Sequence, residues 1–156
     1  PVIFFCENNG YAISVPLSKQ MAVDNVAGRA EGYGMPGIEI DGCDIVAVYE
    51  TTVEAVARAR TGLGPTLIEA NVERYLPHTS DDDDSIYRSS QEIEEAKKRD
   101  PLKLLREQLL ERKILALKED TYIHESAKDI VNKATEEAEN APYPETVDFF
   151  KHVYAE

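Results

Sequence analysis

Two stretches of this 156-residue chain hold side chains that can do chemistry. The first is Asn8-Asn9-Gly10-Tyr11. Asn9 offers a neutral side-chain oxygen. Gly10 lets the backbone bend so that the Tyr11 carbonyl can face the same point. Two neutral oxygens suit a hard cation such as magnesium, which demands octahedral oxygen ligation and takes some of it from carboxylate, water or phosphate. Such a half-site asks for an acidic partner and an anionic ligand from elsewhere. The same residues also fit a plain strand-to-turn transition, since Asn and Gly both tolerate left-handed backbone. The second stretch runs from Glu73 to Arg88 and contains His78. Histidine titrates near neutrality, so it could exchange a proton with a bound intermediate or steady a phosphate. A loop histidine with a structural hydrogen bond is the alternative. Asp81 to Asp84 form a run of adjacent carboxylates that repel one another and favour a mobile, solvated loop. Arg74 and Arg88 flank it, and a guanidinium fork can take a carboxylate bidentately and hold the loop down. The run lacks the spaced ligands and glycine of an EF-hand.

Strands and helices must place these groups. Pro1-Val-Ile-Phe-Phe5 is apolar, β-branched and aromatic without alternation, which suits a buried strand of a parallel sheet covered on both faces. In such sheets ligands bind beyond the carboxyl ends of the strands. A loop from Val15 to about Asp24 leads to a short helix with Val26, Ala27 and Ala30, ended by Gly32-Tyr-Gly-Met-Pro-Gly37. Ile38-Glu-Ile40 alternates as a strand. Asp44 is a candidate N-cap for a helix with Ile45, Val48, Tyr49, Val53, Val56 and Ala57 on one side. Thr66 to Ala70 is a further strand, and the Glu73–Arg88 stretch leaves its far end on the same sheet edge as Asn9. This order predicts an α/β fold: a parallel sheet with crossover helices, followed by a helical C-terminal region. Asp100-Pro101 opens one helix, with Leu102, Leu105 and Leu109. Another spans about Asp120 to Asn140, with Ile123, Ala127, Ile130, Val131, Ala134 and Ala138. A short one covers Glu145 to Tyr154. These stripes are packing surfaces, and His124 and His152 among charged neighbours carry no role.

Composition excludes several classes. The chain has 17 basic and 30 acidic residues, a formal charge of -13. A surface that negative opposes nucleic acid and anionic lipid, because phosphate binding needs clustered Lys and Arg. No stretch approaches the roughly eighteen apolar residues of a membrane span. Cys6 and Cys43 have no metal-ligand spacing and fit two unpaired thiols in a cytoplasmic protein.

The string Val-Ile-Phe-Phe-Cys-Glu-Asn-Asn-Gly-Tyr-Ala-Ile-Ser closely resembles the second half of the thiamine-diphosphate motif in alpha subunits of 2-oxo acid dehydrogenases. The stretch around Arg74-Tyr75 and His78, with its acids and closing Tyr87-Arg88, resembles their loop near the cofactor, and its Pro-His-Thr and four-Asp form is similar to bacterial branched-chain enzymes. The resemblance implies that Asn9 and the Tyr11 backbone hold magnesium, that Asn9, Tyr11, Ile13 and His78 lie at thiamine diphosphate, and that His78 assists reductive acylation of a lipoyl group. It implies that Arg74, Asp82, Tyr87 and Arg88 order the loop. Residues 1–90 would be the C-terminal part of the cofactor-binding α/β domain, with loop 74–90. Residues 91–156 would be a helical region packing on that domain or on a partner subunit.

The implied activity is oxidative decarboxylation of a branched-chain 2-oxo acid, in an α2β2 assembly with a beta subunit and a lipoyl-bearing acyltransferase. The opening Gly-Asp-Gly of the motif is absent, so the chain reads as a C-terminal piece, inert alone. Glu7 stands where some mitochondrial members carry an arginine for the diphosphate, and Leu76-Pro77 replaces a histidine-containing pair. Thr79 occupies the place of a serine that is phosphorylated in mitochondrial relatives; a phosphate there, or on Ser80, would be repelled by the four aspartates. A pyruvate or acetoin dehydrogenase alpha subunit, or a non-catalytic acidic binding module, are the rival readings.

Overall fold

The computed structural model describes residues 1–151. The part of the last expected helix that holds His152 and Tyr154 lies outside them. The chain divides into two compact units, Pro1–Leu109 and the residues from Leu110 onward.

The first unit is α/β. Three strands, β1 (Ile3–Asn8), β4 (Gly37–Asp41) and β5 (Thr66–Asn71), form a parallel sheet in the order β1-β5-β4. A small antiparallel hairpin of β2 (Tyr11–Ala12) and β3 (Val15–Pro16) follows β1 and occupies the start of the expected loop. Helix α1 (Ile45–Arg60) and a 3-10 segment, Ala27–Tyr33, cross between the strands. The segment was expected as a short α-helix. It makes tighter turns and ends at Gly34.

The last strand in sequence is the central one. Thr66, Ile68, Glu69 and Ala70 of β5 are all buried. Burying one such Ile contributes roughly 1.5–3 kcal/mol. β1 pairs on one side only, Asn8 lying opposite Asn71 in register. Phe4 and Phe5 are therefore half-exposed, whereas the apolar run suggested burial on both faces. A strand with one neighbour receives cover from one flank only.

Asp44 caps α1, its side chain accepting from Val46 N–H at 3.0 Å and Ala47 N–H at 3.1 Å. The face of α1 that is buried carries Ala55 and Ala59, not Tyr49 and Val53, which remain exposed. Small side chains let the helix backbone approach the sheet, so the bulkier half of the expected stripe faces away. Gly37 at the start of β4 sits against the 27–33 segment. A Cβ there would lie 2.0 Å from the Ala27 carbonyl oxygen.

Helices α2 (Ser90–Lys98) and α3 (Pro101–Glu111) follow the sheet. The Asp100 side chain accepts from Leu102 N–H, as the Asp-Pro pair suggested. The second unit contains α4 (Leu117–Asn140), which starts three residues before the expected Asp120. Ile123, Ile130 and Val131 on α4 are exposed. No helix of the described residues is long and apolar enough to cross a membrane. Cys6 and Cys43 are both free thiols. Burial pushes both upward, and carboxylates add to the rise at Cys6.

Candidate functional site

The turn after β1 is built by its own carboxamides. Asn8 Oδ1 accepts from Gly10 N–H at 2.9 Å, and Asn9 Oδ1 accepts from Tyr11 N–H at 3.0 Å. These are consecutive side-chain-to-backbone turns of the kind Asn favours. Gly10 takes the positive φ of +77° that the bend requires. The chain then enters the hairpin, where Leu17 N–H donates to Gly10 O at 2.8 Å. Tyr11 is opposite Pro16, one position along from the bonded Gly10–Leu17 pair, so the two form a non-hydrogen-bonded pair and the Tyr11 carbonyl points away from β3. Asn9 Oδ1 is drawn into its own turn, but an amide oxygen has a second lone pair. One side-chain oxygen and one main-chain oxygen are left with acceptor capacity within three residues, a donor set that fits a hard cation in part. At the hairpin tip, Ile13 holds φ at +58°. A β-branched residue in that region is strained by about 1–3 kcal/mol, a cost that clusters at functional sites.

The His78 loop is tied to this turn by one arginine. Arg74 donates from Nη1 to the Ile13 carbonyl at 2.9 Å and from Nη2 to the Tyr87 hydroxyl at 2.8 Å. Its guanidinium lies over the rings of Tyr11 and Tyr87, at 5.5 and 5.8 Å from their centroids. Tyr87 in turn donates through a short bond to Asp82, and Asp82 accepts from the His78 main-chain N–H at 2.8 Å. Arg88 closes the loop from the other end. Its side chain is almost fully buried, donates to the Arg74 carbonyl at 2.8 Å and to Glu92 at 3.0 Å, and stacks on the Tyr11 ring. The four aspartates are not equivalent. Asp82 faces His78 and Tyr87, Asp84 faces Arg88, and Asp83 caps a short 3-10 turn at Asp84–Ile86. Thr79 and Ser80 are exposed.

The network sets its own electrostatics. The Tyr87 hydroxyl and then the His78 N–H hold the Asp82 carboxyl below the usual carboxylate range. Desolvation, and then the bond to Asp82, push the Tyr87 hydroxyl up. Tyr11 rises likewise, through burial first and its bond to Glu92 second. The latch is therefore charged at Asp82 and protonated at both tyrosines near neutral pH. The His78 imidazole sits on an exposed loop whose backbone is fixed, so it is accessible to a partner molecule. No three His, Cys, Asp or Glu side chains among the described residues gather as a metal cluster.

Three residues of this site were not singled out from the sequence. Asn8 orients the turn and is held by Glu69 at 2.6 Å. Glu69 interrupts the apolar run Leu67-Ile-Glu-Ala70, and a charge inside a central strand signals that polar partners must meet it. Glu92, in the first turn of α2, accepts from the Tyr11 hydroxyl at 3.0 Å and from Arg88. Ser89-Ser-Gln-Glu92 is a capping-box pattern, and Ser89 does accept from Glu92 N–H. The pattern flags Glu92 as a helix-start residue, not as a partner for Tyr11.

The family model of the dehydrogenase E1 component matches residues 1–147. The chain is 52% identical over 155 residues to the 2-oxoisovalerate dehydrogenase subunit alpha of Bacillus subtilis, covering 99% of this chain and 47% of that protein. It is 40% identical over 156 residues to the 3-methyl-2-oxobutanoate dehydrogenase subunit alpha of Mycobacterium tuberculosis, covering all of this chain and 42% of the relative. It is 41% identical over 157 residues to the pyruvate dehydrogenase E1 component subunit alpha of Staphylococcus epidermidis, again over all of this chain and 42% of the relative. The chain thus spans less than half the length of these relatives. By this match over nearly its whole length, and by a turn and loop joined beyond one edge of a parallel sheet, the chain belongs to the dehydrogenase E1 component family.

Proposed function

We propose that this chain is part of the alpha subunit of a thiamine-diphosphate-dependent 2-oxo acid dehydrogenase of the branched-chain type. The observation that carries the reading is the Arg74 bridge. One guanidinium fastens the turn bearing Asn9 and Tyr11 to the loop bearing His78. Two stretches distant in sequence are thereby held as one site. When bound, thiamine diphosphate supplies the electron sink for decarboxylation of the 2-oxo acid. The chain's own residues bind and position. Asn9 Oδ1 and the Tyr11 carbonyl hold magnesium, and Ile13, at the strained hairpin tip, flanks the cofactor. His78, with its backbone anchored to Asp82, presents its imidazole as the proton donor or acceptor where the acyl group leaves for a lipoyl arm. Arg74, Asp82, Tyr87 and Arg88 keep that loop ordered. The partners are a beta subunit in an α2β2 assembly and a lipoyl-bearing acyltransferase. Residues 1–90 supply the cofactor-binding portion, and residues 91–156 pack on it or on a partner subunit. The exposed apolar stripe of α4 supports the partner contact.

A pyruvate-type alpha subunit is the second reading, supported by a pyruvate dehydrogenase relative about as similar as the second branched-chain one. Turnover of 3-methyl-2-oxobutanoate against pyruvate by the assembled full-length enzyme separates them; a preference for pyruvate removes the branched-chain assignment. The site itself is tested by Asn9→Ala in that assembly. Magnesium-dependent thiamine diphosphate affinity should fall by at least about tenfold, as for loss of a metal-site partner. Unchanged affinity removes Asn9 as a ligand.

A further inference from the structure

Glu69 has no exposed surface, and nothing above uses it in the reaction. Its two carboxylate oxygens face two different donors. Oε1 accepts from the Asn8 side-chain amide at 2.6 Å, and Oε2 accepts from the Ala27 main-chain N–H at 2.6 Å. Both donors are neutral. Placing a carboxylate in a central strand on such terms is costly, where an Ile or Val would simply pack. The arrangement has one specific outcome. With its NH2 committed to Glu69, Asn8 must turn its Oδ1 toward Gly10, whose N–H it accepts at 2.9 Å. That bond opens the turn presenting Asn9 and Tyr11.

We propose that Glu69 is a positioning residue for the cation-binding turn. It decides which end of the Asn8 carboxamide faces Gly10, and through its second oxygen it locks the turn to the start of the 27–33 segment. The inference rests on the reading of the turn as a magnesium half-site.

The geometry dictates a swap experiment. Glu69→Gln replaces one oxygen by NH2 at nearly the same volume. Whichever way the new amide turns, its NH2 meets a donor: the Ala27 N–H or the Asn8 NH2. Inverting Asn8 relieves the second clash but sets its NH2 against the Gly10 N–H, and the turn opens. Asn8→Asp alone brings two carboxylate oxygens together across the 2.6 Å contact. The pair Glu69→Gln with Asn8→Asp restores each bond. The new amide nitrogen donates to the new carboxylate, whose other oxygen accepts from Gly10, and the amide oxygen accepts from Ala27.

The measurement is calorimetric titration of the assembled full-length enzyme with thiamine diphosphate across magnesium concentrations, alongside the melting temperature without cofactor. Each single variant should weaken magnesium-dependent binding about tenfold. The pair should return to within about twofold of the parent, as expected for directly coupled residues. A pair no better than Glu69→Gln overturns the proposal. So does a lowered melting temperature with an unchanged magnesium midpoint, the mark of a merely structural role. If Glu69→Gln does not fold, Asn8→Ala reads the same link, since it deletes the Gly10 acceptor; unchanged binding there is equally fatal. Asn9→Ala separates the two levels. If it leaves binding intact, the metal reading fails; if it weakens binding while Glu69→Gln does not, only the Glu69 assignment fails.

Discussion

Gly37→Ala tests how tightly the 27–33 segment is clamped to the sheet. The added Cβ would lie 2.0 Å from the Ala27 carbonyl oxygen, 2.8 Å from its carbon and 3.0 Å from the Ala30 Cβ. Ordinary contact starts near 3.4 Å, and the nearest atoms are backbone, so the segment or the strand must shift by more than 1 Å. Overpacking of this kind costs about 1–3 kcal/mol. The shift also draws the Ala27 N–H away from Glu69, now 2.6 Å apart. A buried donor left without its partner costs a further 1–3 kcal/mol or so. The total, roughly 2–6 kcal/mol, is a large share of a typical domain's stability. It corresponds to a melting temperature lower by roughly 4–24 °C for a chain of this size. Thermal denaturation measures it, and hydrogen exchange of the Ala27–Tyr33 amides localises it. Gly32→Ala is the control, since nothing lies within 4 Å of its Cβ position; it should be neutral or slightly stabilising. A Gly37→Ala melting temperature within a degree or two of the control would refute the clamp.

Other expectations follow from the site and the caps. Arg74→Lys keeps the charge but loses the fork and the planar stacking, so hydrogen exchange of the loop amides at Asp82, Tyr87 and Arg88 should quicken by about tenfold; an unchanged rate removes Arg74 as the bridge. Asp44→Ala removes the α1 cap and should cost about 1 kcal/mol in chemical denaturation, while Asp44→Asn should cost little. The loop latch should be insensitive to pH across the neutral range. Asp82 is depressed in the folded state, so its contribution is full above the ordinary carboxylate value of 3.8 and fades as pH falls through its lower folded value. Limited proteolysis within residues 75–89 should therefore begin only in strong acid; cleavage that rises between pH 7 and 5 removes Asp82 as the charged group of the latch.

Much of this was legible because local chemistry and tertiary context agree. Asp44 before an apolar stripe and Asp100 before Pro101 are strong signals with one structural meaning each. The strand-helix-strand order puts the Glu73–Arg88 stretch at the same sheet edge as Asn9, and β1 and β5 do end level there, Asn8 opposite Asn71. What escaped was choice among apolar faces. α1 carries two, and periodicity could not show that Ala55 and Ala59 would win over Tyr49 and Val53, because close approach favours small residues over hydrophobic ones. The acid run is read as a loop that stays mobile unless cations pin it. Arg88 engages Asp84, the Tyr87 hydroxyl engages Asp82, and Asp83 caps a 3-10 turn, a division of duties that four identical residues cannot show in sequence. Partners such as Glu92 and Tyr11, 81 residues apart, have no local signature.

The middle strand of the sheet is the last of the three to be synthesised. β1 and β4 each pair with β5, so neither finds a ladder partner in this sheet until residue 71 is available. Within the described sheet the ladder of β1 therefore closes only with a segment some sixty residues downstream, a contact of high sequence separation that slows folding. Glu69 arrives on that same late strand, so the bend at Gly10 acquires its shape in the step that completes the sheet. Chains ending short of this strand lack the ladder partner of both β1 and β4.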